Sequence, residues 1–166
     1  TQCVMSILMV TLMATAGAMA EETIEEFRIG ILGGENASDR LRSNECLKVQ
    51  AQQLLGVPVK LFAPADYNGV IEGLLGGNLD MAWLGASGYS KVYLTNPDAV
   101  EPVLTKINKD GSFGYYSIGF ARVDSGIKNL DDMKGKVFGF GDPTSTPGYF
   151  IPSIEIPQAG YSMKSG

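Results

Sequence analysis

The stretch Phe138-Gly-Phe-Gly-Asp-Pro-Thr-Ser-Thr-Pro-Gly148 joins a short apolar segment to a cluster of hydroxyl-bearing residues. Residues 137–140 have the composition of a buried strand, and Pro143 ends it because proline lacks the N–H that a strand pairs. The residues that follow are types that cap helix N-termini, where free N–H groups and the positive end of the helix dipole attract anions: Asp142, Thr144, Ser145 and Thr146. The motif therefore predicts a strand, a loop and a helix start that can cradle an oxyanion.

Two other interpretations of this motif are open at the level of residues. An ordinary strand–helix turn also collects capping residues and prolines. A nucleotide-binding loop is a weaker match, because no Gly-Lys-Ser/Thr follows the glycines and Thr144 stands where the third glycine of a dinucleotide fingerprint belongs. The residues alone therefore favour an anion site or a structural turn over a nucleotide site.

Residues 1–20 are predicted to be a secretory signal peptide. The run from residue 4 to residue 20 carries no charge and ends in Ala18-Met19-Ala20, a small-x-small cleavage pattern, before the acidic Glu21. A membrane anchor is the alternative, but it needs about 20 strongly apolar residues, and this run is rich in Ala, Thr and Gly. No initiator Met or basic segment precedes the run, so we expect the chain to be part of a longer precursor.

Cysteine, histidine and charge narrow the class of site. Cys46 is the only cysteine of the predicted mature segment, so we expect no internal disulfide and a small apolar side chain that packs within a helix. The chain has no histidine, which removes hydrolase triads and zinc sites built on that residue. The formal net charge is −5 and no basic run is present, so we expect no nucleic-acid partner, and no cofactor or metal is predicted.

Apolar runs and glycines predict alternating strands and helices in the first part of the chain. The predicted strands are 27–32, 57–62, 79–84 and 100–107. The predicted helices, which contain no proline, are 35–55, 66–77 and 87–94. Asp66 and Ser87 are the predicted N-caps of the second and third helices. This order of elements argues for an α/β sheet with parallel strands.

A second α/β unit is predicted to start after residue 112. Residues 129–135 place acids early and a lysine and a glycine late, which predicts a single helical turn. Residues 115–122 alternate in polarity, which predicts a half-buried strand whose inner face carries Tyr116, Ile118 and Phe120. The predicted division is therefore 21–112 for a first α/β lobe and 113–166 for the start of a second lobe, which is incomplete in this chain.

Four motifs resemble those of a known family in their order and spacing. They are Phe62-Ala-Pro-Ala-Asp-Tyr67, Asp80-Met-Ala-Trp-Leu-Gly85, Asp110-Gly-Ser-Phe-Gly-Tyr-Tyr-Ser117 and Gly141-Asp-Pro-Thr-Ser-Thr-Pro-Gly148. The family is that of the phosphonate, phosphite and phosphate binding proteins of ABC importers, and the resemblance covers nearly all of the predicted mature segment. It implies a fold like that of type II periplasmic binding proteins, in which two α/β lobes enclose a ligand cleft.

The resemblance also implies which residues bind the ligand. Ser145 and Thr146, with nearby N–H groups, hold the phosphonate oxygens, while Tyr67 and Tyr115 reach them from the other side of the cleft. Hydroxyl groups donate to an oxyanion without adding full charges, which suits firm but reversible binding. Taken alone, each tyrosine is more typical of a residue that packs at the end of an element, and the resemblance is what favours ligand contact for Tyr67 and Tyr115. Pro147 departs from the family's Ser-Thr-Ser-Gly loop, and one or two donors are lost because proline has neither a hydroxyl nor an N–H.

The function implied by the resemblance is that of a periplasmic solute-binding protein that presents a phosphorus oxyanion to the membrane permease of an ABC importer and is not an enzyme. Two alternatives stay open. One is a secreted α/β enzyme of phosphoryl chemistry with Asp142 as base and Ser145 as nucleophile, which needs a partner base or metal that the sequence does not show. The other is a sensory binding domain of the same fold. The residues do not specify which phosphonate, phosphite or phosphate is bound.

Overall fold

The computed structural model describes residues 24–33 and 36–162. These residues contain a small parallel sheet with helices packed against it. The predicted signal peptide, residues 1–20, lies outside the described residues. Among the helices of the described part, none is both long enough and apolar enough to cross a membrane.

Three parallel strands form the sheet in the spatial order β2-β1-β3. Their bounds are Phe27–Gly30 for β1, Val59–Phe62 for β2 and Met81–Ala82 for β3. Phe27 is paired with Val59 at one end of β1, and Gly30 is paired with both Phe62 and Ala82 at the other. The crossovers contain helices, as parallel strands require, so the predicted α/β class is confirmed. β2 begins after Pro58, which has no N–H to pair.

The first predicted helix, 35–55, is two helices in the structure. α1 is Ala37–Ser43, capped by the Asn36 side chain, and α2 is Glu45–Leu55, ended by Gly56 in the left-handed conformation. The break falls at Asn44, whose side-chain amide donates to the Arg40 carbonyl at 2.8 Å and so competes with the regular helical bonds.

Cys46 is exposed, so the prediction that it packs as an apolar side chain is wrong. The reason is the position of its helix, because α2 contains no buried residue. The thiol therefore lies on a helix that faces solvent. Its exposure also makes it a natural attachment point for a probe.

The core lies between the sheet and α3, Tyr67–Leu75. Asp66 caps this helix as predicted, since its carboxylate accepts from the Gly69 N–H at 2.9 Å. The buried side chains of the core cluster are Val70, Leu74 and Leu79. Burying three such side chains contributes about 1.5–3 kcal/mol each relative to exposure, which fixes α3 and its N-terminal residue on the sheet.

The third predicted helix is confirmed as α4, Ala86–Thr95, but its N-cap is Gly85 and not Ser87. Gly85 has the extended backbone of a cap and makes no side-chain capping bond. Ser87 lies inside the first turn, and its hydroxyl donates to the Thr144 carbonyl at 2.7 Å instead. The Ser87 hydroxyl, which is the predicted cap of the helix, is therefore bonded to a backbone carbonyl 57 positions away instead.

Three predicted strands do not form in the structure: 100–107, 115–122 and 137–140. Their apolar side chains are largely exposed, including Phe120 at 92% and Val137 at 102%, and the face predicted to be buried through Tyr116 is open as well. A strand needs a neighbour that pairs its N–H and C=O groups. Within the described residues these segments have no such neighbour, so local alternation is not enough to form them.

The segment that carries the opening motif ends in helical structure, as predicted. The single turn expected within 129–135 is the 3₁₀ turn Asp131–Met133. The hydroxyl-rich loop leads into a π-helical turn, Thr146–Phe150, in which both the Tyr149 and Phe150 N–H groups donate to the Ser145 carbonyl. α5, Ile151–Gln158, continues directly from this turn. Short π-helical turns are frequent at functional sites.

Candidate functional site

The loop 141–146 contacts the N-terminal ends of α3 and α4. The Tyr67 N–H, at the start of α3, donates to Asp142 Oδ2 at 3.1 Å across 75 positions of the chain. The Ser87 N–H, in the first turn of α4, donates to Thr146 Oγ1 at 2.9 Å across 59 positions. Both helices follow strands of the parallel sheet, so their N-termini lie at the carboxyl edge where α/β proteins bind ligands. The structure therefore brings the predicted loop to this edge.

Thr146 and Ser87 form a closed hydrogen-bond network. Ser87 Oγ donates to the Thr144 carbonyl at 2.7 Å, which uses the only hydrogen of that hydroxyl. The contact between Ser87 Oγ and Thr146 Oγ1, at 2.8 Å, is then donated by Thr146. Thr146 Oγ1 in turn accepts from the Ser87 N–H. Rotation of one hydroxyl is enough to redirect the Thr146 hydrogen from Ser87 to another acceptor.

Tyr115 approaches the same point. A Cβ placed on Gly85 would lie 3.2 Å from Thr146 Oγ1 and 3.4 Å from Tyr115 Oη. Both hydroxyls therefore lie close to the backbone of Gly85, where an added Cβ would require at least one of them to shift by a few tenths of an ångström. Tyr115 is 62% exposed, so its ring does not pack in the core. Two of the four residues predicted to bind the ligand are thus brought together at the start of α4.

Ser145 is buried, at 7% exposure, and has a structural role in the loop. Its Oγ accepts from the Gly148 N–H at 3.1 Å and caps the π-helical turn. Because the hydroxyl is the acceptor in this bond, its own hydrogen remains free to be donated. The assignment of Ser145 to the ligand stays a prediction.

The backbone of Tyr67 is hydrogen-bonded to the loop, whereas its side chain is seen only to pack near Gly33. It is the first residue of α3, and its ring packs near Gly33, where a Cβ would lie 3.7 Å from Tyr67 Cδ2. The side chain is half-buried. Its predicted contact with an oxyanion therefore stays a prediction, whereas its backbone link to the loop is observed.

Asp142 is ionised at neutral pH, and both of its carboxylate oxygens accept hydrogen bonds. Burial favours its neutral form, but this is outweighed by the Thr144 hydroxyl and N–H, the Tyr67 N–H and the positive charge of Lys91, so the pKa of Asp142 lies below its usual value. Thr144 donates to Oδ1 through its N–H at 2.8 Å and its hydroxyl at 2.6 Å. The carboxylate therefore organises the loop as a charged acceptor.

The backbone of the loop is closely packed. The Gly141 N–H donates to the Gly148 carbonyl at 2.8 Å, and a Cβ on Gly141 would lie 3.1 Å from Gly148 Cα. The Pro147 carbonyl accepts from Ser117 Oγ at 2.6 Å, which ties the loop to the segment that carries Tyr115. These contacts fix the direction in which Ser145 and Thr146 point.

Two surface depressions lie close to the sheet and to the loop. One of about 350 Å³ runs beside β3 and is lined by apolar residues such as Leu74, Met81 and Leu104. The other, of about 840 Å³, lies between residues 117–122 and 137–141 and borders the loop at Pro147 and Gly148. Neither is lined by any of the four predicted residues. The convergence of hydroxyls and N–H groups at Gly85 lies outside the lining of both depressions.

The described residues contain no cluster of three or more acidic, Cys or His side chains that could hold a metal ion. Sequence reasoning missed Gly85 and Ser87 as parts of this neighbourhood and treated Ser87 only as a helix cap. The available signal was their position directly after a predicted strand, at the edge where ligands bind. Their spatial partner, Thr146, was not visible from spacing.

The comparisons with known proteins identify one family. The model of the family described as "ABC transporter, phosphonate, periplasmic substrate-binding protein" matches residues 40–166. The phosphate-import protein PhnD of Mycolicibacterium smegmatis is 34% identical over 89% of this chain and 46% of its own length. The phosphonates-binding periplasmic protein of Escherichia coli is 33% identical over 84% of this chain and 42% of its own length. The chain therefore spans about half the length of these curated relatives.

Solved structures support the same relationship. A binding protein component of an ABC phosphonate transporter from Pseudomonas aeruginosa superposes with a TM-score of 0.69 at 26% identity, covering 82% of this chain and 46% of its own. PhnD1 from Prochlorococcus marinus, in complex with methylphosphonate, has a TM-score of 0.62 at 21% identity, covering 83% and 52%. This second likeness shows the type II periplasmic fold alone. With its α/β sheet, its hydroxyl-rich loop and a family match over most of its length, the chain belongs to the periplasmic substrate-binding proteins of ABC phosphonate transporters.

Proposed function

We propose that this protein captures a phosphonate, or the related phosphite or phosphate, for import by an ABC transporter. One observation carries the proposal: the hydroxyls of Thr146 and Tyr115 meet at the backbone of Gly85, where the first turn of α4 begins. Hydroxyl donors and a helix N-terminus are groups that bind oxyanions without a full positive charge. The family to which the chain belongs supports the same ligand class.

The strength of such a site suits a carrier. Hydrogen bonds to a charged partner contribute about 1.5–3 kcal/mol each, so a few neutral donors give firm binding that is still reversible. Lys91 lies near enough to influence Asp142, but its ammonium group donates to Asn68 Oδ1 at 2.6 Å. The groups that meet at Gly85 are the Thr146 and Tyr115 hydroxyls and the Ser87 N–H, none of which carries a formal charge.

The proposed location is the periplasm. The relative from Escherichia coli is a periplasmic protein by name, and residues 1–20 have the pattern of a secretory signal peptide. Cleavage after Ala20 would leave a mature protein that begins at Glu21. Mass spectrometry of the N-terminus of the secreted protein tests this directly.

We expect binding without turnover. In the enzyme alternative Asp142 is a base and Ser145 a nucleophile, yet Asp142 has both carboxylate oxygens occupied by donors. Its lowered pKa also makes it a weak base near neutral pH. Ser145 is buried and caps the following turn. These features favour a structural role of Asp142 and Ser145 in the loop over a catalytic one.

Titration calorimetry on the intact mature protein, run beside an assay for released phosphate, tests the proposal. Methylphosphonate, phosphite and phosphate are the ligands, and sulfate is the control oxyanion of different chemistry. We expect saturable binding of at least one phosphorus oxyanion and no product. Steady release of inorganic phosphate from a phosphonate or phosphate ester would support the enzyme alternative, and absence of binding to all three ligands would contradict the proposal.

A further inference from the structure

The carboxylate of Asp142 joins two parts of the candidate site that are far apart in the chain. Its Oδ2 accepts from the Tyr67 N–H, at the first residue of α3. Its Oδ1 accepts from both the N–H and the hydroxyl of Thr144, two residues further along the loop. One side chain therefore fixes the position of the start of α3 relative to the loop that carries Ser145 and Thr146.

The same contacts separate Asp142 from the ligand. Its two oxygens are directed at three donors, and ionised carboxylates accept such bonds more strongly than neutral groups do. A carboxylate turned toward a phosphonate would instead repel it. Asp142 therefore acts on the site through the residues it holds and not by touching the oxyanion.

The two helix N-termini at the site differ in what occupies them. α3 receives two carboxylates, because Asp66 accepts from the Gly69 N–H and Asp142 accepts from the Tyr67 N–H. α4 has no side-chain cap at Gly85, and its Ser87 N–H meets only the neutral hydroxyl of Thr146. An incoming oxyanion is therefore disfavoured at the backbone N–H groups of α3, which are already bonded to carboxylates, and the prediction for Tyr67 concerns its side-chain hydroxyl alone. The start of α4 carries no carboxylate and is the favourable helix end for the ligand.

We propose that Asp142 is a positioning residue that clamps the loop 141–146 to the start of α3, so that the Tyr67 and Thr146 sides of the site are held together before a ligand arrives. This inference rests on the proposed function for its effect on affinity. The clamp itself is a structural statement, and it can be measured in the absence of ligand.

Asp142→Asn is the diagnostic variant, because it keeps the size of the side chain and one acceptor oxygen. The amide nitrogen cannot accept a hydrogen bond, so either the Tyr67 N–H or the Thr144 donors lose their partner. Asp110→Asn is the matched control. Asp110 also accepts from an N–H two residues on, that of Ser112 at 3.0 Å, but this contact stays within its own turn.

The distance between the two sides can be followed with spin labels on the intact mature protein. Cys46 on α2 is exposed and accepts one label, and Glu155→Cys on α5, also exposed, provides the second. We expect the unliganded protein to give a narrow distance distribution that Asp142→Asn broadens or lengthens, while Asp110→Asn leaves it unchanged. We also expect Asp142→Asn to raise the Kd for methylphosphonate by at least about tenfold.

The outcomes separate this inference from the proposed function. An unchanged distance distribution in Asp142→Asn would overturn the clamp, whether or not affinity falls, since a loss of affinity alone would place Asp142 in contact with the ligand or confine its effect to the loop. Failure of the wild-type protein to bind any phosphorus oxyanion would overturn the proposed function, and the distance measurement would still decide the clamp. Equal broadening by Asp110→Asn would also overturn it.

Discussion

Thr146 and Ser87 lie 59 positions apart in the chain, yet two hydrogen bonds join them at 2.9 and 2.8 Å. In this arrangement the Thr146 hydroxyl accepts from a helix N–H and donates to a serine oxygen. A ligand oxygen beside Thr146 would accept the hydrogen that Thr146 donates to Ser87 Oγ in this structure. The Ser87 N–H would continue to orient the Thr146 hydroxyl. Under the proposed function, the pair holds a donor in place before the ligand binds, which reduces the entropy lost on binding.

Thr146→Val tests whether this hydroxyl binds the ligand. Valine keeps the branched shape and removes the hydroxyl, so we expect phosphonate binding by the intact mature protein to weaken by about 1.5–3 kcal/mol, the range for a hydrogen bond to a charged partner. Thr146→Ser keeps the hydroxyl and is expected to recover most of the affinity. Titration calorimetry measures both changes.

Ser125→Ala is the control for that measurement. Ser125 Oγ donates to the Arg122 carbonyl at 2.6 Å within its own turn, away from the loop that carries Thr146. We expect no loss of affinity. If Ser125→Ala weakened binding as much as Thr146→Val, the loss would reflect general destabilisation and the assignment of Thr146 to the site would fail.

Gly85→Ala tests the close approach of the two hydroxyls. The added methyl would lie 3.2 Å from Thr146 Oγ1 and 3.4 Å from Tyr115 Oη, so at least one hydroxyl has to move by a few tenths of an ångström. We expect a several-fold rise in the Kd, with little change in thermal midpoint because the backbone of Gly85 suits any residue. Calorimetry and a thermal melt measure the two effects.

A glycine of the same helix provides the comparison. A Cβ on Gly88 would meet Leu84 at 3.7 Å, an ordinary van der Waals distance, and alanine in a helix interior is favoured over glycine by about 1 kcal/mol. We expect Gly88→Ala to bind like the wild type and to be slightly more stable. An equal loss of affinity in both alanine variants would show that disturbance of α4 in general, and not the space at Gly85, is responsible.

The parts of the fold that depend on neighbours in sequence were predictable. The cap from Asp66 to Gly69 and the apolar positions Val70 and Leu74 of α3 follow from spacing within two turns of helix. The turn Asp131–Met133 follows likewise from capping residues. In each case the signal, a capping residue or an apolar spacing, lies within the element or next to it.

The parts that depend on distant partners were not predictable from spacing. Residues 115–122 alternate as a strand does, but alternation gives only one face and no pairing partner, and Phe120 remains exposed. Serine is a residue type that often caps helices, but the Ser87 hydroxyl donates to the Thr144 carbonyl, 57 positions away in the chain. The four residues assigned to the ligand came from family resemblance, and the structure adds Gly85 and Ser87 to their surroundings.

Asp80→Asn tests how the sheet depends on pH. Arg28 donates to both Asp80 oxygens, through Nε at 2.9 Å and Nη2 at 2.7 Å, and these bonds hold the pKa of Asp80 below its usual value. Because the folded state has the lower pKa, the pair stabilises the protein above the unfolded-state pKa of about 4 and loses this contribution as pH falls through the folded-state value. Urea unfolding at neutral and acidic pH measures it.

We expect the wild type to lose more free energy of unfolding than Asp80→Asn when the pH is lowered. The control is Asp131→Asn, because Asp131 pairs with Lys134 inside a short turn where both side chains are more than two-thirds exposed and water weakens the interaction. Its pH dependence should stay close to that of the wild type. Identical pH profiles for the wild type and Asp80→Asn would mean that the pair between β1 and the residue before β3 does not stabilise the sheet.

Pro147→Ser tests the departure from the family's loop. Serine adds an N–H and a hydroxyl next to Thr146, while the carbonyl that accepts from Ser117 Oγ is retained. We expect Pro147→Ser to bind phosphonate more tightly than the wild type. Pro147→Ala adds the N–H alone, and we expect its affinity to lie between those of the wild type and Pro147→Ser. Losing proline also frees the unfolded chain, so stability should fall by about 0.4–1 kcal/mol. Calorimetry together with a thermal melt separates these effects, and unchanged or weaker binding by Pro147→Ser would show that the proline costs the site no useful donor.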